Sequence, residues 1–102
     1  MGEAFAVPNE EAPAVPSPRA RLDVYPNPAR VYASAALLLP AAGHVRVTLH
    51  DALGREVVLV FDGHAQAAQT LALDVSGLAP GVYVVRATAG RTALTRALVV
   101  AR

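Results

Sequence analysis

From Leu22 onward, the chain is a succession of short apolar runs separated by residues that favour turns. Runs of this length and spacing are typical of the strands of a β-sandwich or barrel. The clearest run covers residues 45–50, where apolar and polar residues alternate. Because successive side chains of a strand point to opposite faces, we predict that its apolar members face a core and its polar members face water. The polar members are Arg46, Thr48 and His50.

Six further segments predict strands, which makes about seven in all. They cover residues 22–25, 31–39, 57–61, 71–75, 81–89 and 94–101. Asp62-Gly63 and residues 89–91 predict turns between strands. This number and spacing of strands predict an all-β fold, an immunoglobulin-like antiparallel β-sandwich.

The apolar run over residues 57–61 leaves two interpretations open. Either Val57, Leu59 and Phe61 face the core in strict alternation, or Val57 and Val60 do so across a β-bulge.

Residues 78–83, Leu-Ala-Pro-Gly-Val-Tyr, predict a tyrosine corner. In such a corner, a tyrosine near the start of the penultimate strand bonds the backbone a few residues upstream. Pro80 pre-sets its own φ, and Gly81 can adopt a φ that other residues avoid. We therefore predict that Tyr83 belongs to the core and that Val85 and Ala87 share its face.

The first 21 residues differ from the rest in composition. Their prolines are Pro8, Pro13, Pro16 and Pro18. Closely spaced prolines remove backbone donors and favour extended conformations. We predict a flexible linker over residues 1–21 and a folded domain over residues 22–102. A proline-rich ligand for a recognition domain is the alternative interpretation of the first segment.

Composition excludes several classes of protein. The 102-residue chain has 54% hydrophobic and 17% charged residues, which suits a globular domain rather than a disordered one. It has no cysteine, so neither a disulfide nor a thiolate is available. A formal net charge of +1 gives no basic footprint for nucleic acid. No apolar run approaches the roughly 20 residues of a membrane span, and the first residues lack the features of a signal peptide. If the domain is exported, we expect the export signal to lie upstream.

Metal binding is not predicted. A zinc site needs three or four converging ligands, and the imidazoles, which we interpret as exposed, are only His44, His50 and His64. No loop has the dense oxygen donors of a calcium site. The aspartates nearest to such a pattern are Asp51, Asp62 and Asp74. Each is predicted at a strand end, where aspartate commonly bonds its own backbone.

Catalysis is not predicted either. Ser76-Gly77 is a turn without the flanking glycine of a nucleophile elbow, and no glycine-rich loop indicates phosphate binding. We expect no enzyme activity and no cofactor.

A carbohydrate-binding accessory module of a secreted hydrolase is one alternative function. Sugar-binding platforms use exposed aromatic rings, and the chain has no tryptophan. Tyr25 and Tyr32 are the aromatic residues of the predicted domain left once Tyr83 and Phe61 are assigned to the core. A structural immunoglobulin-like spacer is a further alternative.

Four short motifs follow one another along the chain. They are Tyr25-Pro26-Asn27-Pro28, Leu39-Pro40, Asp51-Ala52-Leu53-Gly54-Arg55 and Gly81-Val82-Tyr83. In this order and spacing, over residues 22–102, the chain resembles the C-terminal sorting domain (type A) of the type IX, or Por, secretion system. The motif residues that carry the resemblance most directly are Tyr25, Pro26, Asn27, Pro28, Asp51, Gly54 and Arg55.

The resemblance implies a small β-sandwich that directs a fused upstream cargo, such as a hydrolase, across the outer membrane. It implies a route through the periplasm to the cell surface or the medium. The implied partners are the type IX translocon, a shuttle barrel protein and a sortase. Cleavage from the cargo is then expected in the linker before Leu22, where backbone is accessible.

The last strands are the expected recognition signal. The residues concerned are Gly81, Tyr83, Arg96, Leu98, Val99, Val100 and Arg102. The family often has a basic residue where Ala97 stands, and here the basic residue is Arg96. Since the final apolar run closes near Arg102, we expect its backbone groups to pair with a partner along the strand edge.

Overall fold

The computed structural model describes residues 20–101. The predicted linker lies outside them except for Ala20 and Arg21, and Arg102 also lies outside. The described chain forms seven β-strands and no helix, so no helix in this part of the molecule is long and apolar enough to cross a membrane. The strands are β1 (Arg21–Tyr25), β2 (Tyr32–Leu38), β3 (Gly43–His50), β4 (Glu56–Ala65), β5 (Ala68–Asp74), β6 (Gly81–Ala89) and β7 (Thr92–Val100).

The strands form two sheets. One has the order β1-β2-β5, and the other has the order β4-β3-β6-β7. Every pair of neighbouring strands within these sheets is antiparallel. The predicted all-β fold, an immunoglobulin-like sandwich, is confirmed.

The core lies between the two sheets and is built from every second residue of most strands. The largest fully buried side chains are Leu22, Leu49, Leu98, Val45, Val47, Val75, Val85 and Val100. The inward faces predicted for β3 and β6 are confirmed, since their apolar alternates are all buried.

Strand β4 departs from simple alternation. Its register against β3 shifts at two points. A shift of this kind arises where a β-bulge adds one residue to a strand. Val58, Val60 and Phe61 pack against the core, whereas Val57 and Leu59 are exposed. The strict-alternation interpretation is therefore correct for Phe61 and wrong for Val57 and Leu59. The bulge interpretation is correct for Val60 and wrong for Val57.

The turn predicted at Asp62-Gly63 is wrong, because β4 continues through both residues to Ala65. Asp62 lies directly opposite Arg46 on β3. Its carboxylate is 2.7 Å from Nε2 of His44 and 3.5 Å from Nη1 of Arg46. These cross-strand contacts stabilise an extended strand. The dipeptide Asp62-Gly63 indicates a turn by itself because it carries no information about the residues opposite it on β3.

Thr48 is buried, although the alternation predicted that it faces water. It lies opposite Leu59 on β4 and Arg86 on β6, and these longer neighbours flank it on both sides. Its hydroxyl is 2.9 Å from Nε2 of His50, so the buried oxygen has a polar partner, as buried polar groups require.

The tyrosine corner is confirmed. The Tyr83 hydroxyl donates a hydrogen bond of 2.6 Å to the carbonyl of Ala79. Gly81, between them, has φ of 155°, a conformation that residues with a Cβ rarely adopt. The corner fixes the point at which the chain enters β6.

We expect Tyr83→Phe to lower the free energy of unfolding by about 1 kcal/mol, because it removes one hydrogen bond and keeps the buried ring. Urea unfolding followed by circular dichroism measures this change. Tyr32→Phe is the matched control, since Tyr32 is 60% exposed. Equal stability of the two variants would contradict a stabilising role for the corner bond.

Candidate functional site

The motif Tyr25-Pro26-Asn27-Pro28 connects the end of β1 to the outer edge of β7. The side-chain amide of Asn27 donates to the carbonyl of Ala97 at 3.0 Å and accepts from the N–H of Val99 at 2.9 Å. Pro26 and Pro28 have no N–H. The Asn27 side chain therefore makes the two contacts that the backbone of a neighbouring strand would make.

Ala29 continues this contact through its backbone. Its N–H donates to the carbonyl of Val99, and its carbonyl accepts from the N–H of Ala101, both at 2.8 Å. Ala29 forms a parallel bridge with Val100 and is fully buried. Asn27 and Ala29 together thus close the edge of β7 from Ala97 to Ala101.

A strand edge is a row of unpaired backbone groups that another chain can use. The C-terminal part of this row is already paired within the molecule. In the described structure, a partner strand can therefore pair with the edge of β7 only at backbone groups that precede the Ala97 carbonyl.

The predicted recognition residues lie together on β6 and β7, where Gly81 is opposite Val100 and Tyr83 is opposite Leu98. The exposed members are Gly81, Arg96 and Val99. The buried members are Tyr83, Leu98 and Val100. Only the exposed members can touch a partner while the domain is folded, and the buried ones hold them in position. Arg102 lies outside the described residues.

The motif Asp51-Ala52-Leu53-Gly54-Arg55 forms the turn between β3 and β4. Oδ1 of Asp51 accepts from the N–H groups of Leu53 and Arg55 at 2.9 and 3.0 Å. Its Oδ2 is 2.8 Å from both Nε and Nη2 of Arg55. Gly54 has φ of 86°, which favours glycine. This carboxylate organises the whole turn.

Hydrogen bonds to Asp51 lower its pKa below the ordinary value. The N–H of Arg55 is the main cause, and the Arg55 guanidinium and the Leu53 N–H add to it against an opposing effect of burial. The pKa of Asp74 is lowered in the same way, first by the hydroxyl and then by the N–H of Ser76. Both aspartates bond the adjacent backbone as predicted, whereas Asp62 lies within a strand.

The β3–β4 turn borders the outer face of β6 and β7. Asp51 and Gly54 on one side, and Val82, Val84 and Thr95 on the other, line a groove of about 470 Å³. The structure therefore brings the central motif close to the strands that carry the predicted recognition residues.

The side chains considered for metal and carbohydrate binding lie at several separate places in the described domain. Among residues 20–101, no three histidine, aspartate or glutamate side chains are grouped closely enough to hold a metal ion. Tyr25 and Tyr32 are 51% and 60% exposed. They share the outer face of the three-stranded sheet, because Tyr25 lies opposite Ser34, two residues from Tyr32. Carbohydrate binding by this pair stays a prediction.

The sequence did not predict the contact made by Asn27 and placed this residue in a family motif only. The available signal was an asparagine between two residues that lack an N–H. At such a position the side chain is the segment's main source of hydrogen-bond donors.

The chain was compared with family models, with curated proteins and with solved structures. The model of a family described as "Secretion system C-terminal sorting domain" matches residues 23–101. No curated protein and no solved structure matches the chain.

We expect the free energy of unfolding to decrease below about pH 4, as Asp51 and Asp74 take up protons. Their folded-state pKa values lie below the ordinary value of 3.8. The stabilisation is therefore complete above that value and is lost as the pH falls through the folded-state pKa. Urea unfolding at several pH values measures it. In the double variant Asp51→Asn, Asp74→Asn, the free energy of unfolding should fall less steeply below about pH 4. An unchanged dependence on pH would show that these two aspartates are not its cause.

We expect Asn27→Ala to accelerate hydrogen exchange of the Val99 amide by about tenfold or more, because that N–H loses its acceptor. The Ala101 amide keeps its bond to Ala29 and serves as an internal reference. Asn27→Asp retains an acceptor for Val99 and is the matched control. Exchange of Val99 at the wild-type rate in Asn27→Ala would rule out the contact.

Proposed function

The chain belongs to the family of C-terminal sorting domains of the type IX secretion system, and we propose that it directs a fused upstream cargo across the outer membrane. The observation that carries this proposal is the family match over residues 23–101, which covers nearly all of the described chain. The family is one of sorting signals rather than catalysts, and its members act with the type IX machinery on proteins bound for the cell surface or the medium.

The partners we propose are the translocon, a shuttle barrel protein and a sortase, reached from the periplasm. The cargo is a protein joined to the N-terminal side of the domain. We place the junction and its cleavage in the proline-rich residues 1–21, on the basis of their composition.

We propose that the machinery reads the exposed surface of β6 and β7. Gly81, Arg96 and Val99 are accessible there, and Tyr83 and Leu98 support them from the core. Arg96 is the strongest candidate for direct contact, because a charged side chain on an edge strand can select a partner by complementary charge.

A deletion of residues 98–102 is a poor test of this surface. It would remove Leu98 and Val100, which are 0% and 1% exposed. Loss of such side chains costs several kcal/mol, so the domain would unfold and export would fail for that reason alone. Single substitutions at exposed positions avoid this problem.

We expect Arg96→Glu to reduce export by about tenfold or more, because charge reversal at a contact costs more than about 1.4 kcal/mol. The assay joins residues 1–102 to a folded reporter with its own export signal, in a bacterium that has a type IX system. Surface and medium reporter are compared with periplasmic reporter. Arg91→Glu, an exposed arginine in the β6–β7 turn, is the charge-matched control and should export normally.

Two results would contradict the proposal. Export of the reporter without the domain would show that the domain is not a signal. Equal export of Arg96→Glu and Arg91→Glu would remove Arg96 from the recognition surface.

A further inference from the structure

The N-terminal part of the β7 edge is open. Val99 and Ala101 direct their backbone groups away from β6, and the β6–β7 register runs without a bulge. Since backbone groups alternate in direction along an antiparallel strand, Ala93 and Thr95 also point outward. The N–H of Ala97 does so as well. No hydrogen bond to these outward groups is found within residues 20–101.

The paired part of the same edge, from the Ala97 carbonyl to Ala101, shows how a partner segment can bind there. Asn27 and Ala29 bind it with hydrogen bonds of 2.8–3.0 Å. The backbone of Ala29 runs parallel to β7. The edge is thus accessible and well aligned for an added strand, and Asn27 stands at the boundary between the occupied and the open part.

The charges beside the open part are positive. Arg96 lies on the inner face with its partner Val85, and Arg86 lies on the outer face with its partner Thr95. Both arginines are exposed, and no ion pair of either is found in the described part of the chain. A strand placed on this edge would have Arg96 beside it on the inner face and Arg86 one strand further away on the outer face.

This charge pattern disfavours a second copy of the chain as the occupant. Antiparallel pairing of two β7 edges about Thr95 would bring the two copies of Arg96 to neighbouring positions. Inward-pointing charges on edge strands oppose such self-association. A partner strand with carboxylates at these positions gains attraction where a second copy meets repulsion.

We propose that the outer edge of β7 is an acceptor site for one extended, acidic strand of a partner protein. The strand pairs with Ala93, Thr95 and Ala97, and a carboxylate on it faces Arg96. The Asn27 side chain covers the C-terminal part of the edge. A partner strand that extends beyond Ala97 displaces the Asn27 amide from the Ala97 carbonyl and the Val99 N–H. This deepens the proposed function, on which it rests, by naming the chemistry of the segment that reads the domain.

The binding test uses the 102-residue chain labelled with ¹⁵N and a blocked peptide, Thr-Val-Thr-Glu-Thr-Val-Thr. Versions with glutamine or lysine in place of the glutamate are the controls. We expect the glutamate peptide to shift the amide resonances of Ala93, Thr95 and Ala97. We expect the glutamine peptide to bind more weakly and the lysine peptide to bind weakest of all.

Substitutions on the chain test the geometry. Thr95→Pro removes an outward N–H and leaves the β6 pairing intact, since proline is tolerated where an edge N–H faces solvent. We expect it to abolish the peptide shifts, whereas Thr95→Val keeps them. Arg96→Ala should bind the glutamate and lysine peptides equally. Asn27→Ala should extend the shifts to Val99 and tighten binding about fivefold, because two bonds no longer need to be broken.

Three results would overturn the proposal: no shifts at millimolar peptide, shifts that do not follow β7, or tighter binding of the lysine peptide. Concentration-dependent dimerisation of Asn27→Ala through the β7 edge would identify a second copy as the occupant and would also overturn it. Peptide binding is independent of export. A chain that exports its cargo but binds no acidic strand refutes the acceptor site alone, and a chain that binds the strand but exports nothing refutes the sorting function.

Discussion

Burial of alternate aliphatic side chains between two sheets is the interaction on which the rest of the structure depends. The chain has no cysteine, so no disulfide links the layers, and packing must hold them together. Each strand gives one face to the core and keeps the other for solvent or for partners. The exposed surface of the domain is therefore fixed by the same alternation that builds its interior. Leu98 and Val100 are buried, and their neighbours Ala97 and Val99 are exposed.

Open sheets add a second constraint, because their edge strands carry backbone groups that need partners. On β7, part of the edge is paired by residues of the segment that follows β1. Asn27 and Ala29 bond residues about 70 positions later in the sequence. The contact ties the segment after β1 of the smaller sheet to the edge of the larger one. It leaves a short stretch of edge beside two exposed arginines, Arg86 and Arg96.

Much of this architecture could be predicted from local sequence. The alternation of Val45, Val47 and Leu49 determined the inward face of β3, and the hexapeptide ending at Tyr83 predicted the corner and its hydrogen bond. The failures have a common cause in cross-strand neighbours. Asp62-Gly63 is a turn signal by itself, yet it is extended because Asp62 meets His44 and Arg46. The bulges of β4 and the burial of Thr48 likewise depend on strands that are distant in sequence.

The candidate site likewise has features that the local sequence predicted and features that depend on distant residues. The family and its motif residues could be read from the sequence. The meeting of Asn27 with Val99 could not, because the two prolines beside Asn27 indicate only that its side chain needs a partner and not which strand provides it. The roles of Gly81, Arg96 and Val99 in recognition stay predictions. Of the residues named with them, Tyr83, Leu98 and Val100 are buried, and only the burial of Tyr83 was predicted.

The bridge between Ala29 and Val100 also governs when the domain can finish folding. Contacts between residues so far apart in sequence form slowly, because a long loop must close first. Synthesis proceeds from the N-terminus, so the segment around Asn27 emerges long before its partners on β7. Until that strand arrives, β6 has an uncovered flank and the apolar cleft between the layers remains unfilled. A chain interrupted before residue 97 therefore lacks this bridge, and only a chain that includes all of β7 acquires the finished surface.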